Sequence, residues 1–432
     1  MSAKMTKEPS GQGRHAVDAP PAAANAVHPV DPRLLVRQQG FKGYLTESLR
    51  KLRSGELGSL PVVLGLAIIW AIFQIKDSAF LSAENLSNLS INIVGTGLIA
   101  VGIVFVLLLG EIDLSVGSVS GLSAAIFAVL NVNQGMPEWQ AVLVAIGSGA
   151  LIGVVQGFFF AKVGVPAFVV TLAGLLAWNG LMLQVLGSSG TINIDDSGFV
   201  AKLTSYYFTD VGAAYGLAAA AVLLYFLTAF SDNRRRARAA IPSRPTSEIV
   251  LRTVGLAVPT FLAAYVLNQY KGLPLALLIF LAVIVLLEFV LRRTPYGRKI
   301  FALGGSVEAA SRSGINVARV RISVFAISGG MAAIGGLFIA SQIAAANQSA
   351  GGGNLLMNAI AAAVIGGTSL FGGRGSTWSA LLGSLVIGSI SSGMALLGVA
   401  AAVNFMITGA VLLAAAVIDS ISRRTQKVSG RA

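Results

Sequence analysis

The stretch SINIVGTGLIAVGIVFVLLLG, Ser90 to Gly110, runs for 21 residues without one charged side chain. A helix advances about 1.5 Å per residue, so this run can cross the roughly 30 Å hydrocarbon layer of a bilayer. Inside lipid a helix satisfies its own backbone hydrogen bonds, which an isolated strand or loop cannot do there. The rest of the chain is of the same kind. Of 432 residues 55% are hydrophobic and only 11% charged, and the mean hydropathy is +0.78. A water-soluble domain of that make-up would not stay in solution. The chain also holds 50 glycines, which suits helices that must approach closely, because lipid tails give apolar helices no hydrophobic reason to associate.

Working outward from this span, about twelve apolar stretches qualify as crossings on length and composition. They run from Leu60 to Ile75, Ser90 to Gly110, Gly117 to Leu130, Trp139 to Ala161, Pro166 to Leu186, Gly212 to Phe230, Ile249 to Leu267, Leu273 to Leu291, Ile322 to Ile343, Leu355 to Leu370, Trp378 to Leu397 and Ala401 to Ile418. The third and tenth are short and rich in Gly and Ser, as broken or re-entrant helices are. The expected fold is therefore all-α, a polytopic transmembrane bundle over residues 59–420. Residues 1–58, rich in Pro, Ala, Lys and Arg, read as a largely disordered cytoplasmic tail, and 421–432 as a second one. No short apolar run follows the basic start before Leu60, so a signal peptide is not expected.

Short basic loops stay on the cytoplasmic side. With Arg50, Lys51 and Arg53 inside, alternation also places inside Lys162, Arg234 to Arg238, Arg292 to Arg321, Arg374, and Arg423, Arg424 and Lys427. The connection from Gly187 to Val211, with Asp195, Asp196 and Asp210 against Lys202 alone, then falls outside. Both termini are expected in the cytoplasm. The net charge of +13 thus reflects sidedness rather than a basic face for nucleic acid.

Several chemistries are excluded. There is no cysteine, and the two histidines, His15 and His28, lie in the tail, so neither a disulfide framework nor a metal site is expected. The dipeptide GK never occurs, so no GxxxxGK[ST] loop can cradle nucleotide phosphates. The stretch ISGGM, Ile327 to Met331, lies in an apolar helix and reads as packing. No cluster of side chains suggests a catalytic centre, and few carboxylates offer the buried relay of a proton-coupled carrier. Glu288 sits four residues before Arg292 and is expected to reach the interface.

Glu111 and Asp113 stand out in GEIDLSVGS, Gly110 to Ser118. Asp113 or Ser115 can cap the following helix, and the same segment, with Ser118, can line a path for a polar solute. In the fifth span, Trp178 and Asn179 offer an aromatic face and an amide to a sugar, though such residues more often pack and bond between helices. The longest polar connection is RRTPYGRKIFALGGSVEAASRSGINVARVR, Arg292 to Arg321. It carries a short helical stretch, Val307 to Ser313, ending at Gly314. Such a helix is either an anchor on lipid headgroups or a handle for a soluble motor. As a handle, it would use Glu308 and Arg312 at i, i+4 for support and Ala309 and Ala310 to enter a groove.

EAASRSG, Glu308 to Gly314, resembles the EAAxxxG coupling loop of permeases in ATP-binding-cassette importers. With GRKIFALGG (Gly297 to Gly305), SGINV (Ser313 to Val317), GEIDLSVGS and AAAVIGGTSLFGGRGSTWSALLG (Ala361 to Gly383), the chain resembles the ribose/xylose/galactose permease family, most closely its xylose-type members. That resemblance implies a transport subunit rather than an enzyme. It would bind no cofactor, ATP and magnesium belonging to a cytoplasmic ATPase partner gripping Glu308, Ala309, Ala310, Arg312 and Gly314. It further implies a periplasmic sugar-binding protein, a second permease copy in a homodimer, and a bacterial inner-membrane location among lipid. The substrate would be a monosaccharide such as a pentose. Gly366, Gly367, Gly372 and Gly373 would serve close helix packing. Glu111 departs from the family, where many relatives have Gly. The alternatives are a gradient-driven secondary transporter of a small polar solute and a permease for branched-chain amino acids.

Overall fold

In a computed structural model, residues 60–239 and 246–428 are described. The expected tail over 1–58, with His15, His28, Arg50, Lys51 and Arg53, lies outside the described residues.

Each of the twelve apolar stretches forms a helix. The first five are α1 (Leu60–Lys76), α2 (Ala83–Leu108), α3 (Val116–Ala128), α4 (Glu138–Phe158) and α5 (Ala167–Leu186). Wider π turns, Val129–Asn133 and Phe159–Val163, extend α3 and α4. A short α6 (Phe199–Ser205) precedes α7 (Val211–Arg238), α8 (Thr246–Asn268) and α9 (Leu275–Arg293). The long basic connection folds as two small helices, α10 (Pro295–Gly305) and α11 (Val307–Arg312). Then come α12 (Val317–Ile343), α13 (Gly353–Ile365), α14 (Trp378–Leu396) and α15 (Ala401–Val428), the last continuing beyond Ile421. Ten of the described helices are long and apolar enough to cross a membrane. The other two of the twelve expected spans fall short of that length. One is α1, which begins at the first described residue. The other is α13, whose 13 residues rise only about 20 Å.

The centre of the bundle is α2, where every residue from Ile93 to Leu108 except Thr96 is buried. It can sit there because glycines remove the side chains that would hold its neighbours away. A Cβ on Gly95 would collide with Ile339, and one on Gly97 with the Phe280 ring of α9. Gly149, Gly153 and Gly157 recur every fourth residue on α4 and face α12. There Gly149 and Gly329 face each other's carbonyl oxygens, and Gly153 lies on Phe325 O. The ISGGM motif is thus a helix contact, as small residues in apolar helices usually are.

The outer helices carry the opposite pattern. Leu223, Leu224 and Leu227 of α7, Val258 and Leu262 of α8, and Met406 and Leu413 of α15 are exposed. An apolar surface of this extent belongs in lipid or against another membrane chain.

Two small antiparallel pairings tie loops together. Strand β1 (Thr191–Asn193), after α5, pairs with β4 (Ala345–Asn347), after α12, with Ile192 opposite Ala346. Strand β2 (Tyr207–Phe208) pairs with β3 (Leu273–Pro274) just before α9. Since α9 and α12 each run between these sheets and the α10–α11 connection, the bundle has a sheet end and a connection end. Glu138 accepts from the Phe199 and Val200 amides at the start of α6, and Asp210 caps α7 through Gly212 N at 2.8 Å. Exposed Asp195 lies among these loops, its carboxyl held below the usual range by the Ser197 amide and hydroxyl. Arg293 pairs with Asp232 at 3.1 Å and Arg321 lies over the Phe160 ring at 4.3 Å, both toward the connection end. Acidic and basic loops therefore sit at opposite ends of the bundle.

Candidate functional site

Helix α3 begins inside the bundle, at buried Ser115 and Val116, and the short α13 begins beside it. Before α3 the chain passes through Glu111 to Ser115 without regular structure, and before α13 it passes through a turn ending at Gly352. The two starts touch. A Cβ on Gly117 would lie 2.6 Å from Gly351 O, and one on Gly351 would collide with Gly117 O. Half-helices that start within a membrane domain are a recurring device of transport pathways.

Asp113 anchors the first of these starts. It is 2% exposed, and such a carboxylate must be bonded on all sides to be tolerated. Its Oδ1 accepts from the Ser115 amide at 2.9 Å and the Ser115 hydroxyl at 2.7 Å, while Oδ2 accepts from Ser328 of α12 at 2.9 Å. Ser115 precedes α3 as expected, but its side chain makes no capping bond there. Instead it lies 3.0 Å from Gln156 Oε1 on α4. Gln156 Nε2 and Trp178 Nε1 have no partner, and both border Gly174. Turning the Gln156 amide about gives its nitrogen to Ser115 Oγ, frees that hydroxyl's proton for Asp113, and points an acceptor toward the Trp178 side. Ser118 is buried and donates to Ser115 O at 2.9 Å. Glu111 is half-buried and Asn179 exposed on α5, so neither joins Asp113, Ser115 and Ser118.

The connection from α9 to α12 is built from caps. Thr294 receives Gly297 N at 3.3 Å with Pro295 in the first turn, Ser306 receives Ala309 N at 3.3 Å, and Asn316 receives Arg319 N at 3.0 Å. These are the cap residues that start helices. Gly314, at φ 82°, takes the left-handed turn after α11 that glycine accepts without strain. Tyr296 holds α10 to α12 by a 2.7 Å contact with the Ser323 hydroxyl, and burial pushes its phenol above the usual range. On α11, Val307, Glu308, Ala309 and Arg312 are exposed. Ala310 is 2% exposed, so only Ala309 of the two alanines can enter a partner's groove. A helix of six residues resting on the bundle must turn one side inward. Arg312 and Glu308 stand 4.0 Å apart and open to solvent, too loose to support the helix appreciably.

Behind this connection three backbones converge. Gly304, near the end of α10, lies so close to Leu108 O that no Cβ could be placed between them. A Cβ on Gly372 would meet Gly304 O at 2.8 Å and Gly110 N at 3.0 Å, and Gly373 N donates to Leu108 O at 2.9 Å. Gly366 is pressed onto Ser379 O of α14, whereas Gly367 faces open space.

Glu288 is the residue that sequence reasoning undervalued. It does not simply reach the interface. Its Oε2 accepts from Thr377 N at 2.9 Å, Thr377 Oγ1 at 3.0 Å and Ser376 Oγ at 3.1 Å, and Oε1 accepts from Arg292 Nε at 3.0 Å. Arg292 also donates to Gly375 O at 2.8 Å and stacks over Phe301 of α10 at 4.9 Å. The STW stretch after GGRG was the available signal, since the free N–H groups at a helix start are donors that a carboxylate can accept from.

Comparison with known proteins finds relatives over most of the chain. Residues 85–416 match a family model described as the branched-chain amino acid transport system / permease component. The xylose transport system permease protein of Haemophilus influenzae is 36% identical over 375 residues, which is 87% of this chain and 99% of that one. Its Escherichia coli K12 counterpart is 36% identical over 371 residues, 85% of this chain and 93% of that one. The ribose import permease protein of Bacillus subtilis is 30% identical over 374 residues, 87% of this chain and 96% of that one. No solved structure matches.

Proposed function

The chain belongs to the family of transport-system permease components, and we propose on that premise that it is the membrane subunit of an ATP-driven importer carrying a xylose-like monosaccharide. It is a multi-pass membrane protein and a transport subunit, not an enzyme. The sugar class rests on the relatives, which are xylose and ribose permeases; the family description alone would equally suit an amino acid.

The observation that carries the division of labour is the capped α10–α11 connection. It presents Val307, Glu308, Ala309 and Arg312 outward at the basic end of the bundle while its rear rests on the segments leading to α3 and α14. The sequence has no phosphate-binding loop, so hydrolysis belongs to a partner. That partner, a cytoplasmic ATPase holding ATP and magnesium, grips α11. A periplasmic binding protein delivers sugar at the acidic sheet end. A second copy of the chain completes the pathway, and lipid surrounds the pair. The basic connections face the cytoplasm. Nucleotide binding moves the connection, and the pathway opens alternately to each side.

Gly314→Pro tests the reading. Proline cannot adopt the positive φ of Gly314, so the turn that sets α11 must rebuild. In proteoliposomes of the complete importer, the variant is expected to insert and bind its ATPase but to hydrolyse ATP with at least about tenfold less sugar uptake per ATP, the scale of a typical coupling energy. Uptake equal to the parent's would reject the assignment.

A further inference from the structure

The connection reaches the membrane domain at two fixed places, one at the segments that precede α3 and follow α13 and one at the start of α14. At the first, Gly304 touches Leu108 and Gly372, and Gly372 touches Gly110. Leu108 and Gly110 open the segment that leads to α3, and Gly372 lies in the segment between α13 and α14. At the second, Arg292 joins Glu288 to Gly375 O, and Glu288 holds Ser376 and Thr377 at the start of α14. Arg292 stacks on Phe301, so α10 is part of the same joint.

We propose that Gly304, Gly372 and Gly110, together with the Glu288–Arg292 clamp, form the transmission joint through which displacement of the coupling connection moves α3 and α13 at once. The inference rests on the reading of that connection as the ATPase handle.

Its physical basis is stiffness. Where side chains separate two elements, rotamer changes can absorb a small shift. Backbone against backbone, with no Cβ between, leaves nothing to absorb it. The hydrogen bond from Gly373 N to Leu108 O binds the two membrane segments to each other as well as to Gly304. Because α3 and the turn before α13 also meet at Gly117 and Gly351, a push at the joint acts on both halves of a single contact. Glu288 and Arg292 keep the Gly375 segment seated on α9 while this happens. They act through other residues and touch no substrate.

The chain contains no cysteine, so single cysteines can report on the start of α3 and of α13. Ile112→Cys, before α3, and Ser349→Cys, before α13, are both at exposed positions. In the reconstituted importer, maleimide labelling at both sites is expected to change several-fold when a non-hydrolysable ATP analogue is added. With Glu288→Gln, or separately Arg292→Lys, the ATPase subunit is expected to stay bound and hydrolyse ATP. The nucleotide dependence of labelling should disappear at both sites, and uptake per ATP should fall on the order of tenfold. Gly304→Ala, whose methyl has no room, is expected to do the same or to fail to fold; the two clamp variants do not depend on it. If labelling in both clamp variants still follows nucleotide while Gly314→Pro abolishes it, the joint is wrong and the handle stands. If Gly314→Pro also leaves labelling unchanged, both are wrong.

Discussion

Asp113 shows what a single buried charge requires in this fold. Three donors from two residues, Ser115 and Ser328, close around its two oxygens. Asp113→Asn keeps the shape, and its amide oxygen can still accept the two bonds from Ser115 while losing the one from Ser328. Asp113→Ala leaves the Ser115 and Ser328 hydroxyls without their acceptor, at a cost of about 1–3 kcal/mol for each group left unpaired. The alanine variant is therefore expected to melt several degrees lower in detergent, with the asparagine variant between it and the parent. Equal melting of alanine variant and parent would show that the carboxylate does not pin α3 to α12. GEIDLSVGS made this residue visible in the sequence, since a carboxylate beside serines before a helix is a capping pattern. Its partner Ser328 was not visible, because 215 residues separate the two. Glu288 was undervalued for the same reason, with Thr377 89 residues away.

The helices were legible because hydropathy alone identifies them. Each of the twelve expected stretches became a helix, and α11 starts at Val307, as the helical stretch ending at Gly314 suggests. What each glycine faces was not legible. Gly149, Gly153 and Gly157 lie against α12, yet Gly147 on the same helix has nothing within 4 Å, and composition cannot separate them. The contrast yields a test. Gly153→Leu must push α4 off Phe325 O and is expected to abolish most of the folded protein, whereas Gly147→Leu should leave its yield near the parent's. Fluorescence-detected size-exclusion chromatography reads both, and equal profiles would contradict the α4–α12 contact. The small sheets and α6 escaped sequence reading because strands of two or three residues, and a helix of seven, are too short to show a period.

Across the whole molecule the charge distribution has a direction. Glu138, Asp195 and Asp210 gather at the sheet end, and the arginines of the α9 to α12 connection at the other. If short basic loops remain in the cytoplasm, Ser197→Cys is expected to react with a membrane-impermeant maleimide in intact cells. Ser311→Cys, on α11, should react only after the cells are opened. The reverse pattern would invert the orientation of every helix.

The sheet end has one more consequence. Both β pairings join distant loops through main-chain groups, and a seam made of amides and carbonyls is blind to the side chains it carries. Its outward-pointing residues are therefore free to drift over evolutionary time. If the proposed delivery protein docks on this face, a lineage could rewrite the face for a different one while the helices beneath keep their spacing, so changing the customer would not require rebuilding the bundle.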